Sequence, residues 1–544
     1  MTALADAPSR VEPRSGALSG TRALVRVALR LDRFRTIIWA ASVGLLVLMS
    51  MNALNTRYAT PESQQARATL ISSPAATALA GPGYGLDDYT IGAMTANEIG
   101  LWIMIPVAIM ALLAVTRHLR AAEEDGRLEL VRSAPVGRDA PVVAGLVAAF
   151  VATLAVGLVT FAGLVAGGLE VTGSAALAGG VVMVGFVFAG VSAVASQLTA
   201  QARAASSLSM AVLGVTFLLR AVGDVRGPQS TSVLTWLSPF GWAQATAAYV
   251  DTRFWPLAIG LVVTAVLVGV AFVLVGRRDA GTGLLPERLG RPSASPRLTG
   301  MVALTSRRQL GAILSWGTGI VLMGGFVGLL AGALVDFIAD EPSLADMFPT
   351  GPNGAAAGAL ALYTVFLAVT TGAYAATALG AARAEEVATR GAAVLALPVS
   401  RWRWLGSQAA VAGVASVLIM LVTGLVMGVT AASSLDGGVD VAELVGAAAV
   451  TLPAVGCMLG LAVLLVGLAP GAFGLIWAYV TYVFVVGLFG ALLPDGADAL
   501  SPFAYTPQLP AEPMDWAPVI VLTLVASSLV VAGLAAFRRR DVIG

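Results

Sequence analysis

The chain has 544 residues, of which 58% are hydrophobic and 12% are charged, and its mean hydropathy is +0.86. Soluble proteins carry roughly a quarter of charged residues, so this composition excludes an ordinary soluble enzyme. The net charge of +1 does not indicate a nucleic-acid partner, because the basic residues, all of them Arg, cluster at the ends of apolar segments, where membrane topology explains them.

The chain begins with a segment, residues 1–20, whose Pro, Ser and Gly content predicts a disordered cytoplasmic tail. Residues 21–35 carry Arg on one helical face and apolar residues on the other, which is typical of an amphipathic helix lying on a membrane. Apolar segments long enough to cross about 30 Å of hydrocarbon follow. Six are predicted in this half: 36–54, 98–117, 140–166, 175–198, 205–222 and 254–276.

A Gly-, Pro- and Ser-rich stretch, 280–296, then predicts a cytoplasmic linker. After it the pattern restarts with a second amphipathic stretch at 298–314. Six further spans are predicted, at 315–337, 356–381, 407–430, 441–467, 470–493 and 516–537. The expected architecture is therefore all-α and integral to a membrane, with twelve transmembrane helices and an amphipathic helix leading into each half.

Polar landmarks recur in both halves at nearly constant spacing. Arg120–Arg138 reads RAAEEDGRLELVRSAPVGR and Arg383–Arg401 reads RAEEVATRGAAVLALPVSR, so each holds an Arg, a Glu-Glu pair and a Pro-Val-x-Arg ending. Glu385 follows Glu123 by 385 − 123 = 262 positions, and the sequence LSPF starts at 237 and again at 500, 263 positions later. We therefore predict an internal duplication, with repeats at 21–279 and 297–544.

Six spans per repeat make both repeats enter the membrane from the same side, as in a parallel repeat. The excess of Arg at the chain start and at the ends of even-numbered spans predicts that both termini and both polar stretches are cytoplasmic.

Few residues offer chemistry. The absence of Lys excludes a phosphate-binding loop of the GxxxxGK[ST] type. The single Cys457 and the single His118 exclude a disulfide within the chain and a His-pair metal site, and we interpret them as a packing residue and a solvated residue. Ionisable residues at membrane depth are sparse, namely Arg220, Asp336 and Glu443, and all three fall near predicted outer boundaries. This disfavours an ion-coupled carrier, which keeps such groups near the midplane.

The outline Glu-Glu-x-Gly-x-x-Glu-Leu followed by Pro-Val-x-Arg resembles the ABC-2-type exporter permeases. Together with the two fused halves and the LSPFGW segment, it is most similar to the actinobacterial polyketide-antibiotic (tetronasin-type) exporter permeases. The resemblance covers the whole chain, but the second copy departs from the pattern, because Gly391 falls later than Gly126 and no Glu corresponds to Glu129. The matching positions are Glu123, Glu124, Gly126, Glu129, Pro135 and Arg138 in the first copy and Glu385, Glu386, Pro398 and Arg401 in the second.

The resemblance implies that each of these stretches forms a coupling helix for a separate ATP-binding subunit. Two copies of that subunit would bind ATP and Mg²⁺, so this chain would be no enzyme and hold no cofactor or metal. Spans 2, 5, 8 and 11 would face a central pathway for hydrophobic or amphipathic substrates. Their pathway candidates are Trp102, Met104, Met110, Met210, Phe217, Tyr363, Phe366, Trp477, Tyr479 and Tyr482.

The expected function is therefore that of a permease subunit of an ATP-driven exporter that moves antibiotics, drugs or polyketides out of a bacterial cell. The expected location is the inner membrane, with no nucleic-acid partner. A proton-coupled twelve-helix efflux carrier shares the same layout and stays open as an alternative. A membrane protein of assembly or lipid handling that transports nothing is a third possibility.

Overall fold

The computed structural model describes residues 16–72, 77–78, 80–227, 229–278, 281–285, 293, 295–296, 298–332, 354–387, 390–435, 439–489, 496 and 498–540. Throughout these ranges the regular structure is helical and no strand occurs. The chain divides into two compact units, Met1–Gly290 and Arg291–Gly544, which we call the first and second unit.

Within the described residues the first unit contains ten helices, six of which are long and apolar enough to cross a membrane. One of them, α3, includes two π-helical turns, at Thr95–Ile99 and Arg117–Ala121. The helices are α1 (Thr21–Arg57), α2 (Pro61–Ile71), α3 (Ile91–Glu124), α4 (Arg127–Arg132), α5 (Ala140–Ala166), α6 (Val171–Leu198), α7 (Ala202–Arg226), α8 (Val233–Trp236), α9 (Pro239–Gln244) and α10 (Trp255–Arg277).

The second unit contains seven helices within the described residues, five of them long enough to span. A break at Thr451, just before Pro453, divides one of these spans, because Pro lacks the N–H that would continue the ladder. The helices are α11 (Met301–Leu329), α12 (Gly354–Val387), α13 (Arg390–Leu395), α14 (Arg401–Ser434), α15 (Val441–Leu468), α16 (Leu475–Phe489) and α17 (Trp516–Arg539).

Eleven helices of the described ranges therefore satisfy the length and hydropathy of a membrane span, where twelve were predicted. The twelfth candidate is α16, whose 15 described residues would extend only about 22 Å. Its predicted span, 470–493, continues beyond residue 489 into positions outside the described ranges. The span predicted at 315–337 and the linker at 280–296 also extend into such positions. The twelve-helix count therefore stays a prediction.

The spans pack in the same order within each unit. The first span lies along the third (α1 on α5, α11 on α14), and the fourth packs against the second and the sixth (α6 on α3 and α10, α15 on α12 and α17). Small residues allow close approach. At Gly424, for example, a Cβ would lie 2.8 Å from the Leu444 carbonyl oxygen of α15. Gly424 and Gly428, four residues apart on α14, both face the start of α15, as in close packing of membrane helices.

Two predicted boundaries differ from the structure. The amphipathic stretches and the first span of each half form single continuous helices, α1 and α11. The 37 residues of α1 extend about 55 Å, more than about 30 Å of hydrocarbon needs, so the Arg-rich first turns are additional length rather than a separate helix.

The second difference lies at the end of the predicted tail. Its last five residues, 16–20, are ordered by backbone contacts with the segment before α5. The Gly137 N–H donates to the Ser19 carbonyl at 2.9 Å, and the Asp139 N–H donates to the Ala17 carbonyl at 3.1 Å. Residues 1–15 lie outside the described ranges.

Candidate coupling sites at the Arg-rich end of each unit

Each predicted coupling stretch folds into the end of a long helix followed by a short helix. In the first unit α3 ends at Glu124, and Gly126 adopts φ 73°, a left-handed conformation that costs Gly little. The short helix α4 follows at once. In the second unit α12 ends at Val387 and α13 starts at Arg390. Both stretches therefore present a short helix between the second and third spans, as the resemblance implied.

The first stretch is held by what we call the first clamp, formed by Arg120, Glu123, Arg138 and Arg278. The Glu123 carboxylate accepts hydrogen bonds from both terminal nitrogens of Arg278 at 2.9 Å and lies 3.0 Å from Arg120. The Gly281 N–H also donates to it at 2.7 Å. Because the side chains of Glu123, Arg120 and Arg278 are each less than 10% exposed, the carboxylate is enclosed within the unit.

The same clamp binds backbone carbonyls at the ends of two spans. Arg120 donates to the Ser196 carbonyl at 2.6 and 2.9 Å, near the C-terminus of α6. Arg138 donates to the carbonyls of Val275 and Arg278, at the end of α10. A cation at a helix C-terminus meets unpaired carbonyls and the negative end of the helix dipole, so both contacts are stabilising.

The second stretch carries the second clamp, formed by Arg383, Glu386, Arg401 and Arg540. Glu386 pairs with Arg540, and one of its oxygens lies 3.2 Å from Arg383. Arg401 donates to the Arg540 carbonyl at 2.5 Å, beyond the end of α17. Arg383 donates to the Pro470 carbonyl at 3.3 Å, just after α15. Each contact has a counterpart in the first clamp.

These contacts correct the alignment of the two stretches. Arg383 follows Arg120, Glu386 follows Glu123 and Arg401 follows Arg138 by 263 positions in each case. Glu123 therefore corresponds to Glu386, whereas the sequence comparison aligned it with Glu385. The signal that identifies it is the Arg-x-x-Glu spacing, which puts both side chains on one helical face.

Glu385 has a different partner. Its carboxylate accepts a hydrogen bond from Arg308 of α11 at 2.7 Å. In the first unit Asp32 of α1 makes the corresponding connection to α3. Its carboxylate binds Arg117 at 2.6 Å and His118 at 2.5 Å. In both units an ion pair joins the first span to the second. The acidic residue lies on the first span in the first unit and on the second span in the second unit. His118 is thus bound to Asp32, and its interpretation as a solvated residue is wrong.

Three of the five glutamates predicted to contact an ATP-binding subunit therefore form ion pairs within their own unit, namely Glu123, Glu385 and Glu386. Glu124 is exposed, and its carboxylate accepts the Ala202 N–H at 3.0 Å, at the start of α7. The exposed part of the first stretch lies further along. Leu130 is 76% exposed, and Glu129, Pro135 and Arg138 are also exposed.

The second stretch has a matching exposed face. Leu397 is 60% exposed and Pro398 beside it is also exposed. In both units the exposed apolar side chains lie on the connection between the second and third spans, outside the spans themselves.

The ten pathway candidates have different environments. Met104 and Met110 are buried in the core of the first unit, and Met210 and Phe217 of α7 pack against that core. Tyr479 and Tyr482 stack on one another and hydrogen-bond the backbone of Leu500. Phe366 packs on Phe484, with the ring centroids 5.6 Å apart. The candidates with large exposed surfaces are Trp102, Tyr363 and Trp477.

The opposite end of the first unit holds a buried ion pair that the sequence analysis missed. Arg220 and Asp224 are both fully buried, with nitrogen and oxygen 3.2 Å apart. Thr235 donates to the same carboxylate at 2.8 Å, and Arg220 also donates to the Ala78 carbonyl. Arg220 therefore does not extend to water, and its i, i+4 spacing from Asp224 was the available signal of the ion pair. The exposed Glu443 agrees with an interfacial position, and Asp336 lies outside the described residues.

Near that end, Tyr249 bonds Ser174 at 2.9 Å, and burial raises the pKa of Tyr249 to about 12. Its hydroxyl therefore stays protonated at physiological pH. Within the described ranges, no cluster of three His, Cys, Asp or Glu residues has the arrangement of a metal site.

Comparison with known proteins decides the family. The sequence profile described as "Multidrug efflux system permease Rv1217c, C-terminal domain" matches residues 298–538. The multidrug efflux system permease protein Rv1217c of Mycobacterium tuberculosis is 34% identical over 540 residues, which cover 98% of this chain and 97% of that protein. The chain belongs to the Rv1217c family of multidrug efflux system permeases. It is therefore a multi-pass membrane protein with the role of a transport permease.

Proposed function

We propose that the chain is the permease subunit of an ATP-driven ABC-2-type exporter, similar to the tetronasin-type exporters, in the bacterial inner membrane. Two copies of a separate ATP-binding subunit would bind α4 and α13 from the cytoplasm, one on each unit. The substrates would be hydrophobic or amphipathic compounds such as antibiotics. The chain itself would hold no nucleotide, which agrees with the absence of Lys.

The observation that carries this proposal is the pair of clamps. In each unit the clamp joins a short helix with an exposed apolar face to the end of the last span, through Glu123 and Arg278 or through Glu386 and Arg540. The Arg of the second span also binds the end of the fourth span. A displacement of the short helix would therefore move the ends of three spans, namely the second, fourth and sixth of its unit.

This geometry revises the role of the glutamates. Glu123 and Glu386 position the short helices, while the surface offered to a partner is formed by the exposed residues around Leu130 and Leu397. A dimeric ATPase that closes on ATP needs two equivalent contact points, and two units with the same clamp supply them. Binding energy at such surfaces is concentrated in a few apolar and aromatic side chains.

The test is to replace Leu130 and Leu397 with Asp in the chain co-expressed with the proposed ATP-binding subunit. Binding of that subunit should weaken at least tenfold, about 1.4 kcal/mol, and transport should fall with it. The matched control is Val233→Asp with Leu500→Asp, since these side chains are similarly exposed (76% and 75%) on other segments. Unchanged co-purification and transport in the double Leu variant would remove the proposed docking surface.

One observation favours the alternative of a proton-coupled carrier, namely the buried Arg220–Asp224 pair. Carboxylates at membrane depth often bind coupling protons. In this structure, however, both Asp224 oxygens have partners, Thr235 and Arg220. Positions 263 further on are Val483 and Gly487, which cannot titrate. Collapse of the proton gradient at constant ATP separates the two functions, because only the carrier should then stop.

A further inference from the structure

A cavity of about 840 Å³ lies beside the first short helix. It is an open cavity lined by the first turns of α1, the end of α3, the helix α4 and the start of α5. Its volume is within the range of about 300–1,000 Å³ found for small-molecule sites. Neither clamp lines it, so the coupling contacts described above do not account for it.

The floor of this cavity is apolar. Leu24 and Val27 of α1 face Leu128 and Val131 of α4 across it. The α1 side is not covered by the rest of the unit, because Val27, Leu31 and Phe34 are 52%, 61% and 63% exposed. This exposed apolar strip leads out of the cavity along the amphipathic part of α1. Its physical partner in a membrane is hydrocarbon.

The rim of the cavity is basic. Arg35, Arg117 and Arg127 line it, and each side chain is partly or largely exposed. Asp32 is the acidic residue in the lining, and it is buried beneath Arg35 and Arg117. Asp125 binds Arg127 at 2.6 Å. The three Arg and two Asp side chains then carry a formal charge of 3 − 2 = +1, with His118 counted as neutral.

Four more Arg residues add to the positive charge near the cavity. They lie on the same first turns of α1 and are all exposed, so the whole segment favours an anion at the level where a membrane surface would lie. These residues are Arg22, Arg26, Arg30 and Arg33.

We propose that this cavity binds an anionic phospholipid of the surrounding bilayer. The phosphate would lie between Arg35 and Arg127, and the acyl chains would leave along Val27, Leu31 and Phe34. Basic pockets beside membrane helices are suited to acidic headgroups, while the apolar strip requires chains that a soluble phosphate lacks. The proposal does not depend on the energy source of transport.

The second unit provides a contrast. Its first helix carries two Arg residues in the equivalent stretch, and one of them, Arg308, is bound to Glu385. The cavity of about 920 Å³ between the start of α11 and α14 is lined by described residues among which Arg403 is the charged member. We therefore place the lipid site in the first unit.

The test measures lipid binding to the purified full-length chain in neutral detergent, without an ATPase subunit, by native mass spectrometry. The probes are dioleoyl phosphatidylglycerol, dioleoyl phosphatidylcholine and glycerol 3-phosphate. The variant is Arg35→Gln with Arg127→Gln, which leaves Asp32 bound to Arg117 and His118. The matched control, Arg307→Gln with Arg403→Gln, removes the same charge from exposed positions of the second unit.

We expect the phosphatidylglycerol Kd to rise at least tenfold in the variant and less than twofold in the control, with weak binding of phosphatidylcholine. Equal loss in both, or no preference of the parent chain for the anionic lipid, would overturn the proposal. Equally tight binding of glycerol 3-phosphate would make this a site for soluble phosphates. A variant that binds phosphatidylglycerol as tightly as the parent chain would also overturn the proposal.

Discussion

The two units have the same clamp at one end but differ at the other. At the Arg-rich end the first and second clamps use the same residue types at offsets of 263, 263, 263 and 262 positions. At the opposite end the first unit has the buried Arg220–Asp224 pair, and the second unit has Val483 and Gly487 at the corresponding positions. Contacts present in both units are the candidates for coupling, whereas the pair present in one unit serves local structure.

Burial also separates the two clamps. Arg120 and Arg278 are 1% and 8% exposed, whereas Arg383 and Arg540 are 26% and 17% exposed. Charges that are more enclosed depend more strongly on their partner, because less water replaces it. The same contact should therefore contribute more to the stability of the first unit than to that of the second.

The largest effect is expected at the buried pair. Asp224→Ala leaves Arg220 charged and enclosed, so it should lower the free energy of unfolding by about 3–5 kcal/mol. Thermal unfolding of the purified chain in detergent measures this as a drop in Tm.

The control replaces both partners, Arg220→Met with Asp224→Leu, and makes the first unit as apolar here as the second. It should recover most of the stability, since apolar pairs of similar volume often replace buried ion pairs without loss. It should also retain transport. Transport lost in this double variant at normal Tm would show that the pair has a role in the transport cycle, and the comparison above would fail.

A smaller effect, unequal between the units, is expected at the clamps. Glu123→Gln removes the counter-charge of two buried Arg side chains and should cost roughly 3 kcal/mol. Glu386→Gln leaves partly solvated Arg side chains and should cost about 1–2 kcal/mol. In the proposed complex with an ATP-binding subunit, both should reduce transport relative to ATP hydrolysis, because each loosens one short helix.

Glu443→Gln serves as the control, since this carboxylate is exposed and lies outside both clamps. The measurements are Tm and the number of substrate molecules moved per ATP. Equal destabilisation by Glu123→Gln and Glu386→Gln would contradict the difference in burial. Unchanged coupling in both variants would contradict the positioning role.

The sequence predicted the helical class and the polar stretches, because apolar length and local composition determine these, whereas the short helices were expected from the resemblance to ABC-2-type permeases. It did not predict that Glu123 is enclosed, since its partner Arg278 is 155 positions away and enters through tertiary packing. It also placed Glu385 at the docking surface, because a Glu-Glu pair does not show which carboxylate faces inward. The Arg-x-x-Glu spacing indicates which carboxylate pairs with the Arg of its own helix. The single Asp among the Arg residues of α1 likewise indicates an ion pair with α3.

The smallest effect concerns a contact that the second unit replaces with another. A Cβ at Gly137 would lie 2.2 Å from the Ala17 carbonyl oxygen, so Gly137→Ala must displace residues 16–20 from the segment before α5. The corresponding residue, 137 + 263 = 400, is Ser400, whose hydroxyl accepts the Arg403 N–H at the start of α14. We expect a loss of about 1 kcal/mol from Gly137→Ala and faster proteolysis before Thr21. Ser400→Ala should cost about 1 kcal/mol through loss of the cap, with no change in that proteolysis. Cleavage at the parent rate in Gly137→Ala would mean that the N-terminal contact contributes nothing to the order of the chain start.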